Sequence, residues 1–213
     1  MRKTFKFRLY PTPAQETVMQ TTLDECRWLY NRLLEERKLA WEETDTSLSR
    51  YQQVNRIPAL KKERPSLDSV HSQVLQNVAS RVDLAFAAFF RRVKDGEEPG
   101  YPRFRGTGRY DSFCYPGSGF KVEGPCVFLS KIGHVKAVIH RPALGDIKTC
   151  CVRRTSTGKW YVCFSCEVDA EMAVPAPVSA VGIDIGLTAF ATMSDGAEVE
   201  NPPVLSHRRE SPG

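Results

Sequence analysis

The chain has 213 residues, 41% hydrophobic and 26% charged, with a formal net charge of +5. That is room for one large domain or two small ones around a buried core, in the composition of a soluble globular protein, and no stretch approaches the roughly 18 apolar residues of a membrane span. The start MRKTFKFRLY lacks the apolar block of a secretory signal, so a cytoplasmic chain with its seven cysteines reduced is expected.

The positive charge is uneven: residues 1–110 carry 20 Lys and Arg against 14 Asp and Glu, the remainder 10 against 11. A basic front half points to a polyanionic partner. KTFKFRLYP alternates strictly, with Phe5, Phe7 and Leu9 on one face and Lys6, Arg8 and Tyr10 on the other, a half-buried strand with a basic outer side. PTPAQ then starts a helix: Thr12 caps it, Pro13 sits in its first turn and Gln15 completes a capping box. The spacing of Val18, Cys26, Leu29, Tyr30, Leu33 and Trp41 carries that helix to about Glu43 as its buried stripe.

The polar stretch after Asp45, punctuated by Pro58 and Pro65, predicts a short helix between loops. A strong helical period follows, with Val70, Val74, Val78, Ala85, Phe86 and Phe89 buried and Gly96 as its stop. From 97 to 120 the pattern breaks into Gly, Pro, Arg and aromatics. Short strands come next: FKVEG, CVFLS, HVKAVIHR, IKTCCVRRTS and KWYVCFSCEV, the last two joined by the turn TSTGK. Together with the first strand they predict a small barrel, because closure removes sheet edges.

CFSC has metal-ligand spacing, but in a strand Cys166 shares a face with Trp160, Val162, Phe164 and Val168 while Cys163 faces the other way. No second such pair exists to complete a zinc site, so two packed thiols are expected. His71, His134, His140 and His207 have no ligand spacing and read as surface or packing residues.

DAEMAVPAPVSA is a proline-spaced linker to AVGIDIGLTAFATMSDG, read as a buried strand, a tight turn and a second strand closed by the SDG turn. Asp184, between Ile183 and Ile185, faces away from the main apolar side, where a hard oxygen on a rigid strand suits a divalent cation. One carboxylate does not hold two Mg²⁺ ions about 4 Å apart, and of the later acids Asp195 falls in the turn while Glu198, Glu200 and Glu210 lie on no recognisable element. The same GIDIG could open the phosphate loop of an actin-like ATPase, although little chain follows Gly186. On the helix around residue 76, Gln73, Gln76, Asn77 and Ser80 form a polar stripe, and Gln and Asn can bond adenine in the major groove. In YPRFRGTGRY, Arg103, Arg105 and Arg109 are spaced for phosphates, with Tyr101, Phe104 and Tyr110 able to stack on bases.

The order KFRLYPTPAQ, RWLYNRLLEER, LQNV to AFAAFFRRVK, YPRFRG to YDSFCYP, and GIDIGLTAFATMSDG resembles the TnpB (OrfB) family of transposon-encoded, RNA-guided DNA endonucleases, over residues 1 to about 202. The resemblance implies an α+β fold: an oligonucleotide-binding-type barrel (the wedge domain) with an inserted helical recognition lobe, followed by the first β-hairpin of an RNase H-like, RuvC-type nuclease domain. The boundaries would be 1–11 for the first wedge strand, 12–102 for the lobe, 103–172 for the rest of the barrel, and 173–213 for the linker and truncated nuclease start. It implies guide RNA and double-stranded target DNA as partners, without a membrane. Asp184 would be the first catalytic metal ligand, for Mg²⁺; Gln76, with Gln73, Asn77, Tyr51 and Tyr115 near it, would contact DNA; and Lys3, Lys6, Arg8, Arg103, Arg105 and Arg109 would contact RNA or phosphate. The family's later Glu and Asp and its zinc ribbon have no counterpart, so this chain would bind without cutting and hold Mg²⁺ poorly. The irregular tail PVLSHRRESPG suggests a premature stop, a frame change or an engineered cut. A nuclease-dead RNA-guided regulator and a DNA-binding transposition accessory without RNA are the other readings left open.

Overall fold

The computed structural model describes residues 1–168 and 180–201, and the chain divides into two units, Met1–Ala170 and Glu171–Gly213. The linker and the tail beyond 201, with His207 and Glu210, lie outside the described residues. Among the described residues no helix is long and apolar enough to cross a membrane.

The first unit is built on β1 (Arg2–Tyr10), whose alternation buries Phe5, Phe7 and Leu9 as expected. Six further strands follow the helices: β2 (Ser112–Pro116), β3 (Phe120–Glu123), β4 (Cys126–Leu129), β5 (Gly133–Val138), β6 (Asp146–Arg154) and β7 (Trp160–Glu167). They form one sheet in the order β2-β6-β7-β1-β5-β4-β3, antiparallel at every pairing, with β1 at its centre. The two edges curl toward each other. Gly117, Ser118 and Gly119 join β2 to β3, the Tyr115 hydroxyl donates to the Ser130 carbonyl at 2.9 Å, and the Phe120 ring of edge strand β3 reaches Phe164 of β7 at 6.3 Å. The result is a nearly closed, barrel-like sheet, which leaves few unpaired backbone groups at an edge.

Between β1 and β2 lie α1 (Pro13–Thr44), α2 (Arg50–Glu63), a 3₁₀ turn (Pro65–Ser69) and α3 (Ser72–Lys94). The capping box of α1 forms as its sequence demands, with the Thr12 hydroxyl accepting from the Gln15 amide and the Gln15 side chain accepting from the Thr12 amide. Two side chains of its first turn tie it to the barrel: Gln15 donates to the His134 carbonyl at 2.8 Å, and Glu16 accepts from the Trp160 indole at 3.1 Å. Inside the helical layer Arg64 grips the buried Glu25 carboxylate with two bonds, 2.6 and 2.9 Å. The helix α2 runs through Pro58, whereas Pro65 opens the 3₁₀ turn.

The structure departs from expectation in several places. The buried stripe of α1 is Met19, Leu23, Cys26, Leu29, Tyr30, Leu33 and Leu34; Val18 is exposed just before it, and Trp41 is exposed beyond Leu34, the last buried residue of the helix. Trp41 instead lines a cavity of about 280 Å³ with Phe86, Phe89, Phe90 and Tyr101. Strand β2 falls inside the stretch read as irregular. The register of β2 against β6 sets Cys114 opposite Cys151, and the two are joined in a disulfide rather than reduced; Cys26, Cys126, Cys150, Cys163 and Cys166 are free. In β7 Cys166 is fully buried and Cys163 half-buried, on opposite faces as the alternation requires.

The second unit contains a three-stranded sheet in the order β10-β9-β8, from β8 (Ile183–Asp184), β9 (Ala191–Met193) and β10 (Glu198–Val199). The SDG turn closes as expected, Gly196 at φ +89° with the Met193 amide donating to the Ala197 carbonyl. The first strand is not buried: Ile183 is 62% exposed and Ile185 71%. Both sides of Asp184 are open, since among the described residues of this unit three short strands are all that could cover one another.

Candidate nucleic-acid interface

The outer face of the barrel carries a cluster of basic and aromatic side chains. In β1 the residues opposite the core side are Thr4, Lys6, Arg8 and Tyr10, and register places Cys163 beside Lys6 and Tyr161 beside Arg8. The Lys6 ammonium lies 4.3 Å from the centre of the Tyr161 ring, and the Arg8 guanidinium lies 5.1 Å from Tyr161 and 5.3 Å from Tyr10. Two cations stacked on one ring repel each other, and an anion between them would relieve that. Arg153, next in the row, is held by Asp111 at 2.9 Å, and Lys136 faces Tyr10 from β5. Lys3 does not belong to this surface: its odd position puts it on the side of Phe5 and Phe7. Sequence reading missed Tyr161 and Arg153, which only the register of β6, β7 and β1 brings beside Arg8.

The segment after α3 holds Arg103, Arg105 and Arg109, all exposed. Asn31 of α1 fixes its backbone, accepting from the Arg105 amide at 2.7 Å and donating to the Arg105 carbonyl at 3.0 Å. Phe104 and Tyr101 are about half exposed and open to stacking. Tyr110 is a correction: its ring is buried against Tyr30 and Arg81, and burial pushes its hydroxyl well above the ordinary tyrosine range.

On α3 the four polar residues differ in availability. Gln76 is exposed, and its side-chain amide makes no hydrogen bond among the described residues. Gln73 accepts from the Ser118 amide at 3.1 Å, Asn77 accepts from Arg81 at 3.0 Å, and Ser80 accepts from Arg50 at 3.4 Å. Arg50 also lies over the ring of Tyr51, which is 72% exposed, so α2 delivers Tyr51 next to the Ser80 turn of α3. Tyr115 is the second correction: it is 1% exposed, its hydroxyl is spent on Ser130, and burial raises its pKa, so here it holds the barrel shut.

The three histidines among the described residues sit at surface or packing positions as expected. At the N-cap of α3, His71 lies 5.6 Å from the Tyr115 ring, and burial with the nearby Lys131 lowers its pKa. Gly119 makes that packing possible, since a Cβ there would meet the imidazole at 2.8 Å. His134 pairs with Glu123 at 2.7 Å, and His140 sits against Phe7.

In the second unit Asp184 lies opposite Thr192, and Thr192 lies opposite Glu198. Glu198 is thus on a strand after all, in the same row and on the same face as Asp184, two strand spacings or about 10 Å away. Asp195 is taken by its own turn, accepting from the Ala197 amide at 3.1 Å. Among the described residues no cluster of three or more His, Cys, Asp or Glu could hold a metal ion. Two carboxylates a strand apart do not fit a two-ion centre, whose ions sit about 4 Å apart in near-octahedral oxygen shells.

The helix-turn-helix domain family HTH_OrfB_IS605 matches residues 1–46, a span that here contains β1 and the single helix α1. Over 208 residues the chain is 30% identical to a Streptomyces pristinaespiralis protein named "Putative RNA-guided DNA endonuclease", covering 95% of this chain and 50% of that one. Over 209 residues it is 31% identical to "Putative RNA-guided DNA endonuclease InsQ" of Escherichia coli (strain K12), covering 96% and 50%. A solved structure described as a Cas12f1-sgRNA-target DNA complex aligns with TM-score 0.45 and 11% identity over 94% of this chain and 57% of that one. The chain belongs to the TnpB (OrfB) family, and it spans about half the length of the curated relatives it matches.

Proposed function

We propose that this chain is the nucleic-acid-gripping part of a TnpB-type RNA-guided DNA endonuclease, binding guide RNA and target DNA in the cytoplasm without cutting DNA by itself. The observation that carries the reading is the outer face of the barrel, where Lys6 and Arg8 share the Tyr161 ring with Tyr10 and Lys136 alongside. Such a surface neutralises phosphates and offers stacking faces. The barrel would be the oligonucleotide-binding-type wedge domain, residues 1–11 and 103–172, and residues 12–102 the recognition lobe. There Gln76 is free to bond a base edge, with Tyr51 next to it. Residues 173–213 would be the start of the RuvC-type domain, with Asp184 as its first metal ligand. Mg²⁺ would bind only where further carboxylates complete the shell. An actin-like ATPase gains no support from relatives named as nucleases.

Nucleic acid recovered with the purified chain tests the RNA-guided part. We expect ribonuclease-sensitive material of defined sequence. Material sensitive only to deoxyribonuclease would favour a DNA-binding accessory, and a chain free of nucleic acid at low salt would contradict the proposal.

A further inference from the structure

Three cysteines lie side by side on the outer face of the barrel. Register pairs Cys114 of β2 with Cys151 of β6, Cys151 with Cys163 of β7, and Cys163 with Lys6 of β1. Directly opposed residues of antiparallel strands hold their Cβ atoms about 4.5–5.5 Å apart, near the roughly 3.5–4.5 Å a disulfide requires. Cys151 therefore has a partner within reach on each side, and the structure joins it to Cys114 while Cys163 stays a free, half-buried thiol.

The Cys114 side is built differently from the Cys163 side. Arg81 reaches from α3 across β2, donating to the Ser112 carbonyl at 2.7 Å and to the Cys114 sulfur at 3.2 Å, while its Nε donates to Asn77. A guanidinium on a sulfur stabilises that sulfur as a thiolate, and the better-stabilised thiolate is the better leaving group. Cys163 has Lys6 and Arg153 over it, although burial wins and leaves its thiol above the ordinary value.

We propose that Cys114, Cys151 and Cys163 form a thiol–disulfide exchange site in which the bridge moves between two positions. The Cys163 thiol gives its proton to solvent, and its thiolate attacks the Cys151 sulfur. The Cys151–Cys163 bond forms as the Cys114–Cys151 bond breaks, and the electron pair leaves on Cys114, against Arg81. No net oxidation or reduction occurs, so no outside oxidant is needed. The move unlatches edge strand β2 from β6. It also changes the charge that Arg81 faces one hydrogen bond behind Asn77, on the helix that carries Gln76.

The test uses the full chain purified without reductant, given a sub-stoichiometric pulse of 2-mercaptoethanol at mildly alkaline pH. The sample is then quenched in acid, alkylated with N-ethylmaleimide and mapped by non-reducing peptide mass spectrometry. Two linked species are expected, Cys114–Cys151 and Cys151–Cys163, with Cys114 gaining the label in step with its loss from Cys163. The Cys163→Ser variant, altered at a half-buried surface position, is expected to lose the second link entirely and keep the first. Recovery of Cys114–Cys151 alone under all conditions, or of Cys151 unlinked before the pulse, would overturn the proposal.

Discussion

Replacing Phe164 with alanine is expected to lower the unfolding free energy of the first unit by about 3–5 kcal/mol. Phe164 has no exposed surface, and its ring sits between Phe7 of the central strand at 5.9 Å and Phe120 of the far edge strand at 6.3 Å. Its loss removes a large buried surface and leaves a hole where the two ends of the sheet meet. Urea unfolding followed by circular dichroism reads the effect. The comparison is Leu84→Ala on α3, where the side chain is 68% exposed and a change within about 0.5 kcal/mol is expected. A Phe164→Ala cost no larger than that of Leu84→Ala would mean that the sheet does not close through this ring.

The second large effect is on binding. The double substitution Lys6→Glu, Arg8→Glu is expected to weaken nucleic-acid affinity at least about tenfold near physiological salt. It should also flatten the dependence of log K on log salt by about 1.4 to 1.8, since each lost phosphate contact accounts for roughly 0.7 to 0.9. Both residues stand on the outer face around Tyr161, so reversing them turns a phosphate-accepting surface into a repelling one. The internal control is Lys3→Gln, three residues before Lys6 but on the other side of the strand. It should leave the slope unchanged; a slope equally flattened in both variants would show that net charge, not this face, governs binding.

What could be read before folding was what depends on short-range periodicity. The Thr12 and Gln15 capping box, the alternation of β1 and β7, and the opposed Cys163 and Cys166 are local properties, and all are found as expected. The failures are non-local. The family resemblance placed Tyr115 beside DNA, and YDSFCYP read as part of an irregular stretch. The alternation of Phe113 and Tyr115 was the signal for β2, and only pairing with β6 buries them. Trp41 keeps helical spacing with Leu34, but it lies beyond the last buried position of α1 and borders a cavity shared with α3, so it stays largely exposed. The disulfide and the Tyr161–Arg8 stack depend on register, which is set by strand order and not by any single strand. Glu198 joins the row of Asp184 for the same reason: two residues of one strand show no period, so β10 was invisible until it paired.

On the proposed function this chain grips nucleic acid without severing it, and one gel tests both halves. The purified chain is incubated with supercoiled plasmid and Mg²⁺, at low and at high salt, alongside Asp184→Ala. A salt-sensitive retardation of intact plasmid, identical for both proteins, is expected. Nicked or linear plasmid formed by the unaltered chain and absent with Asp184→Ala, or plasmid that migrates freely at every salt concentration, would contradict it.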